Sequence, residues 1–141
     1  MAYSNSRYQK KNSDVTARYR DIDLSFTKNP VTKDIQTIKD VDSVRTSIKN
    51  ILHTNFYERP FQAELGAGLR RFLFEPITPV TLVSMKEKIK LAIQNFEPRC
   101  DLRTVQVSAN PDRNAIDIDI VFRLINGSNE VQLRTSLERT R

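Results

Sequence analysis

Glu58, Glu64, Glu75 and Glu97 are the carboxylates with which this chain could cleave a glycosidic bond. That reaction needs one acid with a raised pKa and a second carboxylate at a defined distance. The neighbouring residues point elsewhere. Glu58 precedes Arg59 and Glu97 lies two residues from Arg99, and a nearby guanidinium keeps a carboxylate ionised. Glu75 precedes Pro76 at the end of an apolar run. His53 is the single histidine and falls in an apolar helical pattern, the setting of a partly buried helix residue rather than of a base or ligand. One histidine and one cysteine cannot build the usual zinc sites. Arg99 could lower the thiol pKa of Cys100, but no second histidine or cysteine accompanies it, so a buried structural thiol is expected. The chain is therefore expected to be no enzyme, with no catalytic residue, no cofactor and no metal.

Glu97-Pro98-Arg99 suits binding better than catalysis. Pro98 fixes its own backbone and pushes Glu97 away from helical dihedrals. In an extended segment alternate residues point the same way, so Glu97 and Arg99 could serve one partner surface, Arg99 forking onto a carboxylate. In that case Arg99→Ala should spare the fold and abolish assembly. The competing reading is internal: Arg99 pairs with Glu58, Glu64 or Glu75 and holds a helix end.

Two helices must position these groups. From Thr78 onward, Leu82, Met85, Ile89, Ile93 and Phe96 recur at three- and four-residue steps, one stripe of a helix. Thr78 suits the N-cap and Pro79 the first helical position, and the helix should stop near Asn95–Phe96. A second stripe, Val41, Val44, Ile48, Ile51 and Leu52, marks a helix at about residues 41–55, with Asp40 or Asp42 as cap. Between them, Gly66-Ala67-Gly68 reads as a sharp turn, because glycine reaches backbone angles closed to other residues. Leu69, Phe72, Leu73 and Phe74 suit a helical turn that buries three large side chains.

The rest is β. Ile22, Leu24 and Phe26 alternate with Asp21, Asp23 and Ser25, a short strand with its apolar side inward, ended by Asn29-Pro30. Asp34, Ile35 and Ile38 read as a connector. Leu102, Val105 and Val107 mark one strand, and Asn110-Pro111-Asp112 a turn. Ile116, Ile118, Ile120, Phe122 and Leu124 form the cleanest alternation, Asn126-Gly127 suits a tight hairpin, and Val131 and Leu133 begin a returning strand. The expected fold is α+β: two main amphipathic helices on a small, mostly antiparallel sheet with a C-terminal β-meander. Residues 18–141 are read as a single domain, preceded by a basic arm at 1–17.

Composition sets the remaining bounds. Of 141 residues, 38% are hydrophobic and 28% charged, which permits a globular core. No run of about 18 apolar residues suggests membrane insertion, and the first residues lack the apolar stretch of a signal peptide. The net charge of +6 gathers partly at the ends, in Arg7, Lys10, Lys11, Arg18 and Arg20, and in Arg134, Arg139 and Arg141. Such arms could touch nucleic acid, but no recognition-helix signature or aromatic platform appears, so no specific nucleic-acid reading is expected.

Asp21-Ile22-Asp23-Leu24-Ser25-Phe26, Glu58-Arg59-Pro60-Phe61, Gly66, Leu73-Phe74-Glu75-Pro76 and Glu97-Pro98-Arg99 occur as an ordered set. Across about residues 18–125 the chain resembles the small baseplate wedge proteins of contractile phage tails. That family also includes a baseplate subunit of type VI secretion systems. The resemblance implies a structural subunit beside the tail tube, which clamps the inner wedge scaffold and starts sheath assembly. Its implied partners are other baseplate wedge proteins and the tail sheath protein, with tail tube or hub proteins as further candidates. It implies a place in the virion tail, with assembly in the host cytoplasm. A type VI secretion-like baseplate subunit is the alternative, and a lysozyme-like peptidoglycan hydrolase a remoter one. The partner-binding residues are taken to be Glu97, Pro98 and Arg99, with Glu130, Gln132 and Arg134 as a strand edge open to β-augmentation.

Overall fold

A computed structural model describes residues 19–125, 127 and 129–138 of the chain. The arm at residues 1–17 lies outside them. The elements are β1 (Arg20–Ile22), β2 (Thr37–Lys39), α1 (Asp40–His53), a 3₁₀ turn (Leu69–Phe74), α2 (Pro79–Phe96), β3 (Cys100–Asn110), β4 (Ala115–Leu124) and β5 (Glu130–Glu138). This is an α+β fold in which β3, β4 and β5 form an antiparallel meander and β1 pairs with β2 as a separate ribbon.

The periodic segments fold as their patterns dictate. In α2, Met85, Ile89, Ala92 and Ile93 are buried, and Leu82 and Phe96 are half-buried at the ends of the stripe. Thr78 is the N-cap, its hydroxyl accepting from Thr81 N at 3.2 Å, and Pro79 occupies the first position. In α1, Val44, Ile48, Ile51 and Leu52 are buried. Its N-cap is Lys39 with no side-chain cap, and Asp40 and Asp42 sit inside the first turn, so neither aspartate caps as expected. There they still favour the helix, because the N-terminal dipole attracts negative charge. Both helices lie on one face of the meander. Ile116, Ile118, Ile120 and Phe122 of β4 point into that layer, together with Val105 of β3 and Leu133 and Leu137 of β5. Fully burying each such side chain is worth about 1.5–3 kcal/mol. The opposite face of the sheet carries Asp101, Asp117, Asp119, Arg123 and Arg134. Its cross-strand positions set Asp101 against Arg123 and Asp119 against Arg134.

Four expectations need correction. Ile22, Leu24 and Phe26 do not face the core; they are 56%, 55% and 67% exposed, and Asp21 turns inward in their place. The connector holding Ile38 contains β2, the partner of β1. The 3₁₀ turn buries Leu69 and Phe72 but leaves Phe74 exposed. The β4–β5 connection runs from Leu124 to Glu130, longer than a two-residue hairpin; Asn126 lies outside the described residues.

Candidate functional site

The segment after α2 is a turn, not the extended stretch expected. Glu97 N–H still donates to Ile93 O at 2.9 Å, and Pro98 prevents a further helical turn. The chain reverses until Cys100 N–H donates to Glu97 O at 3.4 Å, and β3 begins there. Glu97 is only 2% exposed. Arg99 folds back and grips the Glu97 carboxylate with two nitrogens, Nε to Oε1 at 2.7 Å and Nη2 to Oε2 at 2.9 Å. The third nitrogen, Nη1, donates to Asp21 Oδ2 at 3.0 Å and to Ser43 Oγ at 3.1 Å. Ser43 donates in turn to the same oxygen of Asp21, and the Tyr19 ring lies 5.7 Å from Arg99 Cζ. One guanidinium therefore joins β1, the first turn of α1 and the end of α2.

Electrostatics follow this geometry. Burial alone would raise the Glu97 pKa, but the hydrogen bonds and charge of Arg99, with help from Ser47, hold it below the usual carboxylate range. Asp21 is likewise lowered, first by the Ser43 hydroxyl and then by Arg99. Arg99 is raised further by Glu97 and Asp21 against the opposing effect of burial. The partners of Arg99 are thus Glu97 and Asp21, not Glu58, Glu64 or Glu75. Pro98 stays exposed and the Arg99 side chain is partly exposed, so they are the members of the motif available at the surface. Sequence places Asp21 in the same ordered set as Glu97-Pro98-Arg99 but does not pair it with Arg99, and it singles out neither Ser43 nor Tyr19. They are remote from the motif in the chain and carry no local signature of it.

Of the other candidate acids, Glu58 has a plain local role. Glu58 accepts from Asn55 N at 2.9 Å and Asn55 Nδ2 at 2.7 Å, bonds that lower its pKa. His53 contacts Thr135 Oγ1 at 3.2 Å, and its pKa is lowered by desolvation and by Lys49 and Arg70. Cys100 is half-buried and donates to Glu97 O; burial and the Glu97 charge push its thiol up to about 11, so Arg99 does not activate it. Among the described residues no cluster of three metal-ligating side chains forms.

The second group of residues taken from sequence lies on β5, an edge strand among the described residues. β5 pairs only with β4 among the described residues. The direction of its ladder groups can be read from one bond: Ile125 N–H donates to Arg99 O at 3.1 Å, toward the β3 side. Backbone groups alternate sides along a strand, so Phe122, Ile120 and Ile118 direct theirs toward β5. Their register partners Val131, Leu133 and Thr135 return those bonds. Glu130, Gln132, Arg134, Ser136 and Glu138 then aim N–H and C=O away from the sheet. The three residues singled out from sequence lie on this outward set. Arg134 Nε also pairs with Asp119 Oδ1 at 2.6 Å, and Gln132 Nε2 lies 3.5 Å from the same oxygen. The edge and the Arg99 cluster are separate features.

Comparison with known proteins bears on this arrangement. The family described as baseplate wedge protein gp25 matches residues 39–129. Baseplate wedge protein gp25 of Enterobacteria phage T4 is 30% identical over 120 residues, covering 85% of this chain and 90% of that protein. Three solved structures share the fold. A Geobacter sulfurreducens protein described as a candidate tail lysozyme superposes with a TM-score of 0.67 at 24% identity, over 75% of this chain and 97% of its own. A chain of the anti-feeding prophage baseplate gives 0.60 at 20% identity, with 87% of each chain covered. A chain of the postcontracted pyocin R2 baseplate gives 0.55 at 17%, covering 86% of this chain and all of that one.

Proposed function

The chain belongs to the gp25 family of baseplate wedge proteins, and from that premise we propose that residues 18–141 act as one non-enzymatic wedge domain of a contractile phage tail. In this reading it clamps the inner wedge scaffold beside the tail tube and gives the sheath its first strand to pair with. Its neighbours are other wedge proteins and the tail sheath protein, with tube or hub proteins adjacent, and it joins them in the host cytoplasm before residing in the virion. Pro98 and the exposed part of Arg99 meet the scaffold, while Glu97 orients Arg99 from within.

The observation that carries the sheath role is the outward row of backbone groups on β5, a ready template for an added strand. Gln132→Pro with Arg134→Pro tests it. Proline removes a donor from the outward side only, so the variant should enter baseplates but carry no sheath or short ones under the electron microscope. Sheaths of normal length would overturn the sheath role.

A hydrolase is the reading that the Geobacter neighbour's description raises. Here Glu97 is buried against Arg99 and Glu58 is bonded to Asn55, so neither has the raised pKa that a general acid needs. Purified protein should leave the turbidity of peptidoglycan suspensions unchanged.

A further inference from the structure

The motif Glu58-Arg59-Pro60-Phe61 makes no bond to the Arg99 cluster or to β5, although Glu58, Arg59 and Pro60 line one open cavity with Asp21 and Ser43, and its surroundings are unusual. Phe61 is fully exposed and Tyr57 is 86% exposed. Both have positive φ, +66° and +67°, a region that bulky residues rarely occupy. The loop holding them is tightly fastened. Tyr57 N–H donates to Ala63 O at 2.8 Å, Gln62 N–H to Arg59 O at 3.3 Å, and Leu65 N–H to Gln62 O at 3.1 Å. Asn55 clasps the Glu58 carboxylate at one end of the loop. Gly66 closes the other end so tightly that a Cβ there would lie 2.4 Å from Thr54 O.

The fold gains no burial from these two rings, and their backbone is strained. Strain held in place by surrounding bonds is characteristic of binding segments, where it removes ordering entropy from the encounter. Aromatic residues and arginine are also the side chains that most often dominate interface energies. Arg59 sits between the rings in sequence, and Arg70 is close enough for its charge to act on Glu58. Among the described residues neither arginine has an ion-pair partner.

We infer that Tyr57 and Phe61 form a preformed plug that enters an apolar pocket, edged by carboxylates, on a neighbouring protein subunit of the particle. The inference rests on the baseplate reading above. A second copy of this chain is a poor occupant, because a two-fold contact through the loop would match its exposed rings with the same rings rather than with a pocket. A membrane is also a poor one, since two rings and two cations fall short of the apolar area or cationic cluster that stable attachment takes.

The test compares wild type, Tyr57→Ser/Phe61→Ser and Arg59→Glu/Arg70→Glu, each as the full chain. Each is assembled with the other wedge proteins of the same particle. Both double variants should melt near the wild-type temperature, and each should enter wedges about 30-fold less well. The charge-reversed variant should recover least as salt is lowered. Wild-type incorporation by the serine variant, beside a wild-type control that assembles, overturns this inference alone. A serine variant that melts many degrees lower also overturns it, because the rings would then belong to the fold. Flotation of wild type but not the serine variant with phosphatidylglycerol vesicles overturns it in favour of a membrane. Failure of the wild type itself to assemble overturns the baseplate reading and this inference with it.

Discussion

Arg99 Nη1 lies 3.0 Å from Asp21 Oδ2 across 78 residues of sequence. The bond fastens the β1–β2 ribbon to the body of the protein. Apolar packing does little there, since Ile22 and Leu24 are more than half exposed. The same guanidinium neutralises Glu97 in its buried site. One side chain thus has two duties of different weight.

The two duties predict unequal losses. Asp21→Asn breaks a partly exposed pair worth about 0–1 kcal/mol, so the melting temperature should hardly move while amide exchange over residues 20–39 quickens. Arg99→Ala leaves a buried carboxylate unpaired and should cost about 3 kcal/mol or more. This reverses the expectation from sequence that Arg99→Ala would spare the fold. Equal losses for both variants in chemical denaturation would contradict the division of roles.

Acid should expose the contribution of Glu97. Its folded pKa is depressed, so the folded state holds the proton less readily than the unfolded chain. The stabilisation is complete above the unfolded value of about 4.3 and is lost as pH falls through the lower folded value. Asp21 acts in the same direction. Urea midpoints should be level above about pH 5 and fall below about pH 4. Glu97→Gln should begin less stable at neutral pH and decline more gently; a parallel decline would contradict the assignment.

The turn glycines should differ. Gly66 has φ +123°, and a Cβ there would meet backbone, Thr54 O at 2.4 Å. At Gly68, with φ +58°, the Cβ would meet the end of the Phe56 ring, which can swing aside. Gly66→Ala should therefore cost more than about 1 kcal/mol, about 3 °C or more in melting temperature, and Gly68→Ala less. Thermal melts in which the order is inverted would refute the argument.

Proline scanning along β5 should follow parity. Thr135 directs its N–H into the β4 ladder, and Thr135→Pro should cost more than about 2 kcal/mol. Gln132→Pro and Arg134→Pro should each cost clearly less, because their donors point outward. Circular-dichroism melts of the three single variants decide it, and equal destabilisation would mean the outward set is misassigned.

Most of the scaffold was legible in sequence where one periodic segment meets one core. The α2 stripe, its Thr78-Pro79 start and the β4 alternation are local patterns with local consequences. The β1 segment departs from its alternating pattern because only Arg20–Ile22 is strand: residues 23–26 form a turn in which Phe26 N–H donates to Asp23 O, so Leu24 and Phe26 have no sheet face to occupy. Within the strand, Asp21 is drawn in by Arg99, far along the chain. Glu97-Pro98-Arg99 was recognisable as a special stretch, but its burial was not, since nothing nearby in sequence announces that Asp21 and Ser43 meet it. The outward parity of Gln132 and Arg134 likewise needed one observed bond, from Ile125 to Arg99.

The open edge of β5 carries a hazard as well as an opportunity, because an unpaired strand can pair with its own twin. Its outward residues read Glu130, Gln132, Arg134, Ser136, Glu138, a palindrome of charge. Two copies laid antiparallel along their full length would oppose Arg134 to Arg134 and Glu130 to Glu138, and like charges directly opposite are destabilising. Relief requires a slip that brings Glu130 against Arg134, and that slip shortens the overlap. The edge therefore penalises self-pairing at full length while leaving its backbone groups available to a strand with a different charge order.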